Sequence, residues 1–421
     1  MDTKKLATIV AVAAIVVGCS GSSATSKPTA TPIPTAPPTA TPVAPTPTPA
    51  PALTVTSFTQ DFSAMASLQA IHSAGSGMVG VILPDTTSSA RYVSFDAPYL
   101  KKAFEMAGYA DTEFKIQNAQ GSDATELAMA NADITAGAKV LVVDPIDSTV
   151  GKQIQAAAAA AHVAMISYDR ATFQGATTYY VSFDNVQVGK LIGQGFMDCV
   201  TAWNVTSPNV FELDGGTDSD PNAIDFAKGY NSVIWGSEVQ TVADNTTNSA
   251  GMKLIHEQPA LKWDNKVGGT IFKSQYTAHP EINATVEAND GLANAVITDL
   301  KAAGAHPGQV PTVGQDATLQ GMEWILQNWQ CGSVYKPVYM EAQDAVALAS
   351  YLRAGQTPPA TLVNGTTKDP TGPTTEPASL LVPLWANKAN MEATVIADKF
   401  VDVSALCTAV GASVCTAAGI H

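Results

Sequence analysis

The sequence predicts an α/β fold of two doubly wound parallel-sheet lobes. Short apolar runs of strand length alternate with amphipathic stretches of helix length between residues 78 and 161, the signature of βαβ units. The alternation restarts near residue 210. The apolar run 163–166 also ends in Tyr168-Asp169-Arg170, an ion-pairable turn where an α/β sheet places its ligand cleft.

The elements follow in chain order. Lys4 and Lys5 precede an apolar run from Leu6 to Val17, and Gly18-Cys19-Ser20 closes it. This is the layout of a secretory leader, with an apolar middle too short for an ordinary membrane span. Residues 20–54 form a Pro/Thr-rich linker, whose Pro/Thr/Ala tract 26–52 cannot build a packed core and favours extended polyproline II. At 3.1 Å per residue that tract would reach roughly 80 Å. Residues 53–76 read as an arm with one short helix over 63–74. Strands are then expected at 78–83, 114–118 and 140–143, and helices at 97–107, 122–136 and the Ala-rich 149–161. A strand at 163–166 and another at 179–183 lead into a helix from Val186, with Asp184 or Asn185 as its N-cap. Later strands are expected at 210–213, 285–288 and 312–314, and later helices at 223–235, 292–303 and 319–329.

Composition bounds the chemistry. Of 421 residues, 14% are charged and the net charge is −15, which argues against nucleic acid or anionic lipid as a partner. No GxSxG, P-loop or dinucleotide glycine motif occurs, and no CxxC or HExxH, so no cofactor and no metal is expected. The acidic run 214–220 lacks the Gly and closing Glu of a calcium loop, and Gly215-Gly216 reads as a tight turn after a strand. With Cys19 in the leader, four cysteines remain. Cys407 and Cys415 lie close together in the tail and are expected to form a disulfide, while Cys199 and Cys331 are either paired or simply buried.

The segments 163–185, Ser89-Ala90-Arg91-Tyr92, Asp220-Pro221-Asn222, Asn289-Asp290-Gly291, Gln315-Asp316-Ala317 and Val334-Tyr335-Lys336-Pro337 stand in an order and spacing that resemble the sugar-binding proteins of bacterial ABC importers. These are periplasmic binding proteins of type 1, and the resemblance is nearest their xylose-binding branch, over residues 77–399. The leader with Cys19 likewise resembles a lipobox, which implies a lipoprotein with Cys19 lipidated.

The resemblance implies a three-segment hinge, with crossings near Thr177, Tyr335 and Pro358. It gives an N-terminal lobe of 55–177 plus 337–358, a C-terminal lobe of 178–336 plus 359–400, and a Cys-containing tail of 401–421. It implies a monosaccharide ligand: xylose, another aldopentose, a hexose such as glucose or galactose, or a related polyol.

A pyranose offers hydroxyls around its rim and apolar C–H patches on its faces, so its binder needs Asp, Asn, Arg and Lys in the ring plane and an aromatic beside it. Carried over by motif, Arg91 serves hydroxyls and Tyr92 stacks, in place of the branch's usual Trp. Asp169, Arg170, Asp220, Asn222, Asn289 and Asp316 follow, and Lys336 reaches the sugar from the hinge. Taken singly, an Asn-Asp-Gly is an ordinary turn and an Arg or Lys an ordinary surface cation; their common order carries the reading. The branch's early cleft tryptophan has no counterpart after Val239, Trp263 lying further along.

These implications describe a monomer held at the outer face of the cell membrane by its lipid, which delivers sugar to an ABC permease and is no enzyme. A sensor that presents sugar to a membrane receptor or kinase would use the same lobes. A glycosidase would need Asp316 and Asp220 as its acid pair, and few other acids stand at strand ends. A transcriptional regulator of this fold would carry a helix-turn-helix where the export signal stands.

Overall fold

A computed structural model describes residues 53–89, 91–173 and 178–421. The leader, Cys19, most of the proline-rich linker and the crossing expected near Thr177 lie outside them.

The first sheet is built from β1 (Met78–Leu83), β2 (Phe114–Asn118), β3 (Ala138–Val143), β4 (Ala164–Tyr168) and β5 (Thr178–Phe183), all paired in parallel. β1 and β3 are buried and almost uniformly apolar, as parallel strands covered on both faces must be. Helices Ala97–Met106, Asp123–Thr135 and Ser148–Ala160 connect them, with Ser122 and Asp147 as side-chain N-caps. The arm forms a 3₁₀ turn, Ser63–Leu68, running into a helix, Gln69–Ala74.

The second lobe holds β6 (Asn209–Asp214), β7 (Lys253–Pro259) and β8 (Ala284–Glu287) in one parallel sheet, then β9 (Gly314–Gln315) and β10 (Gly332–Tyr335) in another. The strand expected at 312–314 starts two residues late. The Thr312 carbonyl still accepts the Cys331 amide, but the Val313 amide goes to Glu287 Oε2, so the regular ladder begins only at Gly314.

The chain returns to the first lobe through Tyr335–Val338, where helix Val338–Arg353 packs beside that sheet, then adds β11 (Gly365–Lys368) and β12 (Thr375–Leu381). The first sheet therefore runs β11-β12-β5-β4-β3-β1-β2. Only β13 (Leu384–Asn387) pairs in the second lobe, antiparallel to β10. By sheet membership the last return lies between Leu381 and Leu384, later than the crossing expected near Pro358, and β5 also sits in the first sheet. β5 and β12 pass from one core to the other: Tyr180 packs with Ala378 beside the first sheet, while Phe183 and Leu381 end in the second-lobe core.

Two disulfides hold the second lobe and the tail. Cys199, on helix Asn185–Ala202, is joined to Cys331 just before β10, Cα to Cα 5.9 Å. Cys407 is joined to Cys415 between the two short tail helices, at 5.7 Å. The first spans 132 residues, and closing a loop of that size is worth about 4–5 kcal/mol in the chain-entropy picture.

Helix Asn185–Ala202 packs tightly on helix Pro221–Ile234 at glycines, since a Cβ on Gly189 would lie 2.1 Å from the Phe226 carbonyl oxygen. That close approach fixes the helix whose first turn faces the cleft.

Candidate ligand-binding site

Arg91, Tyr92, Asp169, Arg170, Asp220, Asn222, Asn289, Asp316 and Lys336 all line one cavity between the lobes, which contains about 320 Å³ of space. Ser88, Ser89, Phe226, Trp263 and Gln315 complete its wall. That figure counts the open mouth; the enclosed part holds about 20 Å³, about one water's worth, so the walls are drawn tightly together.

The first-lobe wall is an ion network. Arg91 donates through Nε and Nη2 to the two oxygens of Asp96, at 2.9 and 2.8 Å, through Nη1 to Asp169 Oδ1 at 2.9 Å, and through Nη2 to Glu341. Tyr92 donates to Asp169 Oδ2 at 3.1 Å and accepts from Arg170 Nη2 at 3.1 Å. Arg170 Nη1 also donates to the Ile146 carbonyl, 3.0 Å away. Burial alone would raise Asp169, but Arg91, Lys336 and Arg170 outweigh it and hold the carboxyl below its ordinary value. Burial disfavours the Arg91 cation, and Asp169, Asp96 and Glu341 more than restore it.

The second-lobe wall is made of helix ends. Asp220 caps helix Pro221–Ile234, accepting the Asn222 amide at 2.9 Å, and its other oxygen accepts Trp263 Nε1 at 3.2 Å. Burial pushes Asp220 up to about 6 against the pull of Arg170. Asn289 caps helix Asp290–Ala302, its Oδ1 taking the Leu292 amide at 2.9 Å. Lys336 Nζ lies 3.3 Å from Asp316 Oδ1. Asp169, Trp263 and Asp316 all hold positive φ, at 58°, 57° and 93°, which non-glycine residues adopt at a cost of about 1–3 kcal/mol each. Such strain concentrates where side chains must be aimed.

The walls meet directly. Asn222 Nδ2 donates to the Asp169 carbonyl at 2.7 Å, Ser89 Oγ lies 3.4 Å from Asp316 Oδ2, and Arg170 Nε lies 3.7 Å from Asp220 Oδ2. The lobes are therefore closed on each other. Two buried wall atoms, Arg170 Nε and Gln315 Oε1, make no hydrogen bond among the described residues, and burying such groups unpaired is costly. They offer one donor and one acceptor.

Residues 79–357 match the periplasmic binding protein domain. The chain belongs to the periplasmic binding protein family. It is of type 1, near the xylose-binding branch. The binding protein is 31% identical over 287 residues to the D-xylose-binding periplasmic protein of Escherichia coli, covering 68% of this chain and 80% of that one. It is 28% identical to the multiple sugar-binding periplasmic protein of Azospirillum brasilense, over 81% of this chain and 96% of the relative. A carbohydrate transporter solute-binding protein from Chloroflexus aurantiacus, solved in complex with D-glucose, superposes with a TM-score of 0.65 at 26% identity, covering 78% of this chain and 98% of the other. These relatives are transport binding proteins, not enzymes.

Sequence reasoning missed four wall residues and misjudged a fifth. Trp263, set aside as too far along the chain, lies on the cavity wall, brought there by β7 and the turn after it. Its indole rests on Gly215-Gly216, where a Cβ on Gly215 would fall 2.1 Å from the ring. The glycine pair is thus a seat for the indole as well as a turn. Ser88, Ser89, Phe226 and Gln315 carried no signal of their own, though each stands within four residues of a motif residue.

Proposed function

We propose that the protein captures a monosaccharide by closing its two lobes around it and delivers the sugar to an ABC importer. The observation that supports this most is the joint wall: one cavity takes cationic, acidic, amide and aromatic side chains from both lobes. Hydroxyls on a sugar rim satisfy donors and acceptors in this mixture, and the rings of Tyr92, Phe226 and Trp263 suit its C–H faces. A ligand that bonds to both walls favours the closed arrangement by its difference in affinity for the two states.

The lobes expected from the resemblance, 55–177 plus 337–358 and 178–336 plus 359–400, are adjusted in this reading by sheet membership: β5, β11 and β12 go with the first sheet, and the chain returns to the second lobe after Leu381. A Cys19 lipid anchor and the proline-rich linker would hold the monomer outside the membrane, within reach of its permease. The sugars named for the relatives make xylose the first ligand to test, followed by glucose.

The test is a thermal-shift panel of pentoses, hexoses and polyols on the purified chain. One or a few aldoses should raise the melting temperature in a saturable way. A flat response to every monosaccharide would overturn the reading.

A further inference from the structure

Beside the polar cavity lies a second one of about 580 Å³, open to solvent, and Ser89, Arg91 and Asp316 line both. Its wall is mostly apolar, formed by Phe95, Leu319, Ile396, Phe400, Val401 and Val403. The cavity is bounded by both lobes and by the segment 396–403, which lies outside the 79–357 that match the family domain.

This wall is firmly held. Phe95 and Phe400 stack with centroids 4.0 Å apart and planes within 17°, and Tyr335 supports Phe400 from 4.9 Å. Tyr335 and Tyr339 donate their hydroxyls to Asp398 Oδ2 at 3.0 and 3.3 Å, and Gln60 of the arm donates to the Asp398 carbonyl at 2.6 Å. Leu319, at the start of its helix, leaves 39% of its surface exposed on this wall.

We propose that the site takes glycosides: the sugar ring fills the polar cavity, and an apolar aglycone attached to it lies between Phe95, Leu319, Ile396 and Phe400. This rests on the monosaccharide reading of the inner cavity. An apolar occupant fits better than a second sugar because, Ser94 and Lys399 apart, the polar groups bordering this space are committed elsewhere. Thr318 Oγ1 accepts the Gly321 amide and Asp402 Oδ1 the Ala405 amide, each as a helix N-cap. A second pyranose would bring hydroxyls that lose water with few partners to replace it.

Calorimetry on the full chain tests this with D-xylose, D-glucose, their phenyl α- and β-glycosides, xylobiose and cellobiose. At least one phenyl glycoside should bind about tenfold or more tighter than its parent sugar, through burial of the ring. Leu319→Glu, at an exposed position, should remove that gain and leave the parent's affinity unchanged. The proposal is overturned if parent sugars bind and every phenyl glycoside binds more weakly, if the gain survives Leu319→Glu, or if a disaccharide gains as much as the phenyl compounds. Failure of all sugars and glycosides alike would instead strike the monosaccharide reading itself.

Discussion

The two walls of the cleft solve the same problem differently. On the first-lobe side, Arg91 is held by Asp96, Asp169 and Glu341, so its position is set before any ligand arrives. On the second-lobe side, Asp220 and Asn289 are N-caps, each with one oxygen spent on a backbone amide, and the other Asp220 oxygen takes the Trp263 indole. A buried cation must bring its counter-charges with it, whereas a helix end already supplies rigid geometry and needs only one side-chain atom. The first wall is therefore expensive to disturb, and the second can be altered residue by residue.

The contrast can be broken most forcefully at Asp96. Asp96→Ala leaves Arg91 undercompensated in a buried site and should lower the unfolding free energy by about 3–5 kcal/mol, read by urea denaturation. A loss below about 1 kcal/mol would mean that the first wall is no more costly to disturb than the second. Arg170→Gln removes the cation whose Nε makes no hydrogen bond, and should weaken sugar binding ten- to about a hundredfold, the span of a charged hydrogen bond; unchanged affinity by calorimetry would remove Arg170 from the ligand set.

On the other wall, Asn289→Ala should cost about 1 kcal/mol of stability as a lost cap and roughly tenfold in affinity. Equal damage from Asn289→Ala and Asp96→Ala would erase the distinction between the walls.

The smallest effect concerns pH. Asp220 is raised to about 6 in the fold, against an ordinary value near 4, so the folded chain keeps a proton there that the unfolded chain releases. Its contribution to stability is therefore full below about pH 4 and is lost as pH rises through 6. Ligand affinity should move the opposite way, falling a few-fold from pH 7 to pH 5 as the acceptor is protonated. Asp220→Asn should flatten that difference, and an unchanged slope would assign the titration to another group.

Much of the first lobe was legible because its strands are apolar on both faces and its connecting helices show one buried stripe with a capping residue at the start. Helix Val338–Arg353 left no such trace. It is buried nearly all round, taking Glu341 and Asp344 inside with it, so no polar face marks its period. The hairpin of β11 and β12 was hidden among Thr, Pro and Gly, and its place at the sheet edge comes only from pairing with β5. Cys199 and Cys331 could not be matched by spacing, because the fold alone brings helix and strand to within a disulfide's reach.

By itself the sequence determined where polar residues follow buried strands, since hydrophobic period and turn chemistry are local properties that neighbouring residues suffice to set. The resemblance, carried over by motif, named nine side chains that line a single cavity. Only the tertiary structure decided that Trp263 joins them, that Asp96 and Glu341 stand behind Arg91, and that the segment 396–403 borders the cavity mouth. Those are meetings of residues tens to hundreds of positions apart, and what settles them is which surfaces exclude water together.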